Sequence, residues 1–178
     1  MSGRSETIKP TANFKLDGPL ALVEPPFSTY KTILNEALLH AHAKGITSFY
    51  RLKAELYREL RAGWPELPSH YTYTACQMAC SIYEAFRKLE RRGRVKADRP
   101  CSNKDAIMLD DHLFSLDLEG WMASIATPRG RVKFRLLHGQ YHEKFEAMRP
   151  GRAWLVKRGR ELWLTDDSIG GVSASSRQ

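Results

Sequence analysis

The chain has 178 residues, 42% of them hydrophobic and 27% charged, with 28 Lys and Arg against 20 Asp and Glu and a formal net charge of +8. That length supports one domain with a real core, and the cation excess puts polyanions first among partner classes. There is no apolar run of the roughly 18 residues that a membrane span needs, no apolar signal core at the N-terminus and only three cysteines, so a cytoplasmic protein with no membrane partner and no disulfide framework is expected.

In chain order, residues 7–17 alternate like a short strand and leave it at Asp17-Gly18-Pro19. Pro25-Pro26 should stop regular structure, and Ser28 is then placed to cap a first helix. Ile33, Leu34, Ala37, Leu38 and Ala41 form one stripe of it, and Gly45 ends it. Ser48 caps a second helix that buries Phe49, Leu52, Leu56 and Leu60 and closes at Trp64-Pro65. A third helix should begin near Tyr73 and stop at Gly93, packing through Ala75, Ala79, Ile82, Phe86 and Leu89.

From about Lys104 the period shifts from near 3.6 to 2. Six short strands follow, AIMLDD, HLFSLDLE, WMASIATP, RVKFRLL, RAWLVKRG and ELWLTD, with turn residues between them. Asp110-Asp111-His112 reads as a hairpin turn between the first two. The tail after residue 168 is small and polar and is expected to be loose. One strand, three helices and a run of strands suit a β-barrel or sandwich interrupted early by a helical insertion.

The cations are concentrated in two segments. Residues 87–99 hold seven basic and two acidic side chains, and residues 129–160 hold ten and two. Within the second segment Thr127-Pro128-Arg129-Gly130 makes a turn. The strand after it directs Arg131, Lys133 and Arg135 to one face and Val132, Phe134 and Leu136 to the other. Three like charges on one strand face repel unless an anion lies across them. Phosphates supply such an anion, and Tyr71, Tyr73, Tyr141 and Trp154 lie near the charges where aromatic faces can meet bases.

Other constellations carry less chemistry. Cys76 and Cys80 sit one helical turn apart, but no second cysteine pair completes a zinc pattern, so they read as buried thiols. His138 and His142 lack the helix and glutamate of a zincin, and Asp110-Asp111-His112 lacks a nucleophile partner. No catalytic and no metal-ligating residues are assigned.

Three stretches carry a resemblance. LPSHYTYTACQMACSIYEAFRKLER, IATPRGRVKFRLLHGQYHEKF and GRAWLVKRGRELWLTDD, in that order and spacing, resemble the N-terminal half of TnpB proteins. TnpB proteins are transposon-encoded RNA-guided nucleases related to type V CRISPR effectors. The likeness runs from about residue 7 to 168. It implies an α+β fold, a β-barrel-like wedge domain interrupted by a three-helix recognition lobe. The first wedge strand would lie in residues 1–19, the helical insertion in 20–99, the rest of the wedge in 100–168 and a flexible tail in 169–178. It further implies guide RNA and target DNA as partners.

Cleavage in that family belongs to a RuvC-like domain that opens with an apolar strand and Gly-x-Asp-x-Gly. No such segment occurs among these residues. The chain is therefore expected to be non-catalytic by itself and to need no cofactor, with Mg²⁺ confined to the nuclease domain, which another chain could supply. The nucleic-acid-binding set is Lys9, Lys15, Tyr71, Tyr73, Gln77, Arg87, Lys88, Arg91, Arg92, Arg94, Lys96, Arg99, Arg129, Arg131, Lys133 and Arg135. Gln77 leads it as a base contact, because its amide both donates and accepts. Two alternatives stand beside this reading: a stand-alone nucleic-acid-binding regulator, and a basic interaction subunit that docks an acidic protein.

Overall fold

The computed structural model describes residues 11–146 and 151–166. The alternating segments form seven strands: β1 (Ala12–Asp17), β2 (Ala106–Leu109), β3 (Phe114–Asp117), β4 (Met122–Thr127), β5 (Gly130–Leu137), β6 (Ala153–Arg158) and β7 (Glu161–Asp166). They form one antiparallel sheet in the order β2-β6-β7-β1-β5-β4-β3. β1 lies in the middle of this sheet although three helices separate it from β2. The helices are thus an insertion into the sheet, as the order of elements led us to expect.

β2 and β3 are consecutive in sequence but form opposite edges of the sheet. Flat, those edges would stand six strand spacings apart, about 29 Å. The link from Leu109 to Phe114 spans at most about 18 Å. The sheet therefore curls into a half-barrel. Residues 110–113 are a bridge between its edges and not the hairpin turn expected from the sequence, because pairing partners in a curled sheet are set by closure and not by adjacency.

The helices are α1 (Glu24–Lys44), α2 (Phe49–Gly63), α3 (Ser69–Arg91) and a short α4 (Gln140–Glu143), with a 3-10 turn over Leu20–Leu22. Pro25 and Pro26 do not stop structure; they occupy the first turn of α1, where a missing N–H costs nothing. Ser28 consequently lies inside the helix. Gly45 ends α1 at φ 65°, its N–H directed to Ala41 and His42 carbonyls. Ser48 caps α2, its Oγ accepting from the Arg51 N–H at 3.5 Å. α3 starts four residues before the position expected, following Pro68. Its C-terminal Leu89 is 43% exposed, so the packed stripe ends earlier than the spacing suggested. α4 was not anticipated.

α1 and α3 pack most extensively, with α2 against α3. Hydrogen bonds fix the helices to the sheet. The Tyr30 hydroxyl bonds Thr74 Oγ1 at 3.3 Å and accepts from the Met108 N–H at 3.4 Å. The Tyr71 hydroxyl donates to the Ala126 carbonyl of β4 at 2.5 Å. Asn35 holds the segment entering β2 through both amide groups, with Ser102 O at 2.9 Å and Ser102 N at 2.8 Å. Inside the half-barrel, Phe14, Leu16, Ile125, Phe134, Leu136, Leu155 and Leu164 form the core. No helix among the described residues is long and apolar enough to cross a membrane.

Candidate functional site

β5 has the two faces its alternation implied. Phe134 and Leu136 are buried and Val132 half-buried, while Arg131, Lys133 and Arg135 are exposed. Thr127 and Gly130 close the β4–β5 hairpin around Pro128-Arg129. The Thr127 hydroxyl donates to the Gly130 carbonyl at 2.7 Å and accepts from the Arg129 N–H at 3.2 Å. Gly130 sits at φ 101°, a conformation that a side chain would strain. The turn thus aims Arg129 outward beside the strand's cations.

The three strand cations stand about 7 Å apart. Asp17 faces Arg135 across the ladder, yet no carboxylate lies within ion-pairing distance of Arg131, Lys133 or Arg135 among the described residues. The Arg131 guanidinium donates to the His112 carbonyl at 2.9 Å. At 7 Å in a water-like dielectric each neighbouring pair repels by about 0.6 kcal/mol, so the face tolerates its charge unliganded and still attracts a polyanion.

The second basic segment lies elsewhere. α3 begins beside β4, through the Tyr71–Ala126 bond, and Arg87 follows Tyr71 by sixteen residues, about 24 Å along the helix. Lys88 is paired with Glu84 at 2.9 Å, and Arg87 lies 5.9 Å from the Tyr83 ring centroid. Arg91, Arg92, Arg94, Lys96 and Arg99 are exposed around the helix exit. The two patches occupy opposite ends of α3 and do not merge into one.

Tyr71 does not reach the surface that the sequence reading gave it. Its ring is fully buried and its hydroxyl is committed to β4, with burial raising its pKa, so it belongs to the core and cannot meet a base. Tyr73 is half-buried, its ring 4.9 Å from the Lys53 ammonium and edge-on to Phe49. Gln77, one turn further along α3, is half-buried. Lys15 pairs with Glu161 at 2.5 Å on the same sheet face as the β5 cations. Lys9 and the tail lie outside the described residues.

Cys76 and Cys80 are buried and Cys101 is exposed. Burial, reinforced by neighbouring Cys80, pushes the Cys76 thiol up to about 12, and burial pushes Cys80 up to about 11. His138 stacks on Trp121 at 4.0 Å. His142 accepts from the Gly139 N–H through Nδ1 at 3.0 Å, so its Nε2 carries the proton that meets the Asn13 carbonyl at 2.9 Å.

One cluster was not visible in the sequence. His70, at the start of α3, meets Asp110 and His112 in the bridge between sheet edges, their nearest ligand atoms all within 4.8 Å of one another. His70 Nδ1 lies 2.6 Å from Asp110 Oδ2, and Asp110 Oδ1 accepts from the N–H groups of His112 and Leu113. The two imidazoles stack at 3.8 Å with planes 13° apart. Nitrogen lone pairs lie in the ring planes, so parallel rings cannot converge on one cation. As arranged, the cluster locks α3 to the bridge.

A family model described as "Uncharacterized protein MJ0013 family" matches residues 27–125. The chain is similar to "Uncharacterized protein MJ0857" of Methanocaldococcus jannaschii, 28% identical over 185 aligned positions that cover 91% of this chain and 66% of that relative. It is also similar to "Uncharacterized protein MJ0752" of the same organism, 35% identical over 54 residues, which are 30% of this chain and 71% of that protein. The chain thus spans slightly under two thirds of the longer relative.

Proposed function

We propose that this chain, which belongs to the MJ0013 family, is the RNA- and DNA-binding portion of a TnpB-like RNA-guided DNA endonuclease. In this reading the half-barrel is the wedge, the inserted helices α1–α3 are the recognition lobe, and together they hold guide RNA and target duplex in the cytoplasm. Binding follows duplex shape through phosphates and leaves sequence to base pairing. Gln77 contributes a base contact. Cleavage rests with a RuvC-like domain whose opening signature is not among these residues.

The observation that carries the proposal is the outward row Arg131, Lys133 and Arg135, three cations on a rigid strand without carboxylate partners among the described residues. The insertion of the helices into the sheet supports it. The exit of α3 supplies the second phosphate contact. The test is binding of a structured RNA across a salt series, with wild type compared to Arg91→Ala/Arg92→Ala/Arg94→Ala. The variant should weaken binding to all sequences alike and reduce the salt slope by roughly 0.7 to 0.9 per lost phosphate contact. An unchanged slope in a folded variant assigns these arginines to a solvated helix end.

A further inference from the structure

Strand register places two tryptophans on the face that carries the β5 cations. Directly opposed residues point to the same side of an antiparallel sheet. Val156 opposes Trp163, Trp163 opposes Lys15, and Lys15 opposes Leu137. From Leu137, alternation along β5 reaches Arg135, Lys133 and Arg131 on that same face. Trp154, two residues before Val156, also shares it. Both indoles are half-buried and Leu137 is 42% exposed, so aromatic and cationic groups share one outer surface.

Beside Trp154 the surface sinks into a cavity of about 620 Å³, lined among others by Met78, Lys104, Ala106, Trp154, Val156 and Arg158. Its lining combines apolar Met78, Ala106, Trp154 and Val156 with the cations Lys104 and Arg158. Of the charged groups in its lining, Asp105 is already paired with Lys31 at 2.6 Å and Lys157 with Glu24 at 2.7 Å. Lys104 has no ion pair among the described residues, and the Arg158 guanidinium lies 5.7 Å from the Trp163 ring centroid. A pocket of this size suits a small aromatic molecule. Its charge selects one that carries an anion.

We infer that the cavity beside Trp154 seats an unpaired nucleotide, its base stacked on the indole and its phosphate at Lys104 and Arg158. This rests on the nucleic-acid reading above and adds to it a site for single-stranded RNA. Base–aromatic stacking tolerates any base, because every base has a π-face. The Trp154 site therefore adds affinity without adding sequence preference, and the strand cations continue the phosphate track.

The experiment compares the full chain bound to a twelve-residue oligoadenylate and to an abasic ribose-phosphate oligomer of the same length. The base-bearing probe should bind about five- to 150-fold tighter, the equivalent of about 1–3 kcal/mol for one stacked base. Trp154→Ala should remove most of that preference while leaving the abasic affinity and its salt slope unchanged. Trp154→Phe should restore part of it, and it keeps the test open should the alanine variant fail to fold. Lys104→Ala should weaken both probes alike. Equal affinity for the two probes in wild type, or a preference untouched by either Trp154 variant, overturns this site while leaving salt-dependent RNA binding intact. Absence of salt-dependent binding to both probes and to structured RNA overturns the nucleic-acid reading, and this site with it.

Discussion

Phe134 offers a quantitative test of the packing that orients β5. Its ring is 1% exposed and lies against Gly18, where an added Cβ would come within 2.6 Å of Phe134 Cδ1. Phe134→Ala should destabilise by about 3–5 kcal/mol through lost burial and the cavity left behind. Gly18→Ala overfills the same spot and should cost about 1–3 kcal/mol. In the double variant the vacated ring volume accepts the new methyl. The two costs should therefore fall short of additivity by roughly 0.5–3 kcal/mol, the coupling expected of residues in contact. Urea unfolding followed by circular dichroism measures all four proteins, with a shifted midpoint at constant slope as the readout. Additivity within about 0.3 kcal/mol, or a Phe134→Ala cost under 1 kcal/mol, would refute the inward placement of this face.

Cys101 should react with a thiol reagent at pH 8 within the time a free thiol needs, while Cys76 and Cys80, both buried with raised pKa, should react only after denaturant is added; three fast thiols in native protein would contradict their burial. Glu55 is held down to about 2 by hydrogen bonds from His40 and Lys44, and further by Arg51. Its folded value lies below the usual carboxylate range, so its contribution is present above about pH 4.5 and disappears as pH falls towards 2. Glu55→Gln should flatten the stability profile within that window, and an unchanged acid limb counts against the cluster. Purified chain with Mg²⁺ or Mn²⁺ should leave RNA and DNA uncut; cleavage that co-purifies with the folded protein would sink the assignment of catalysis to another domain.

Local patterns were the legible part of this fold. The alternation of Val132, Phe134 and Leu136, the cap at Ser48 and the left-handed Gly45 each depend on neighbours within a few residues, and each stands where the pattern put it. Pro25-Pro26 is ambiguous in sequence, because the same residue that breaks a helix interior is tolerated in a first turn, where the structure has it. The start of α3 was hidden by its polar look. Tyr71, Thr72 and Thr74 are all buried, and Tyr71 and Thr74 find hydrogen-bond partners inside the fold. Closure of the sheet was hidden too, since β2 and β3 are adjacent in sequence and lie at opposite edges. The meeting of His70 with Asp110 and His112 follows from that closure across forty residues. The cation row was legible, whereas its shared face with Trp163 required the register of β7 on β1 and β1 on β5.

The proposed function turns on phosphate binding by the outer face of β5. Arg131→Ala, Lys133→Ala and Arg135→Ala, singly and combined, should leave the melting temperature nearly unchanged or slightly raised, since each relieves repulsion and removes at most one exposed hydrogen bond. The deciding measurement is structured-RNA affinity of the triple variant at several salt concentrations. Weaker binding with a salt slope reduced by roughly 2 to 3, as three lost phosphate contacts require, is the result predicted. Wild-type affinity and slope in a folded triple variant would contradict it.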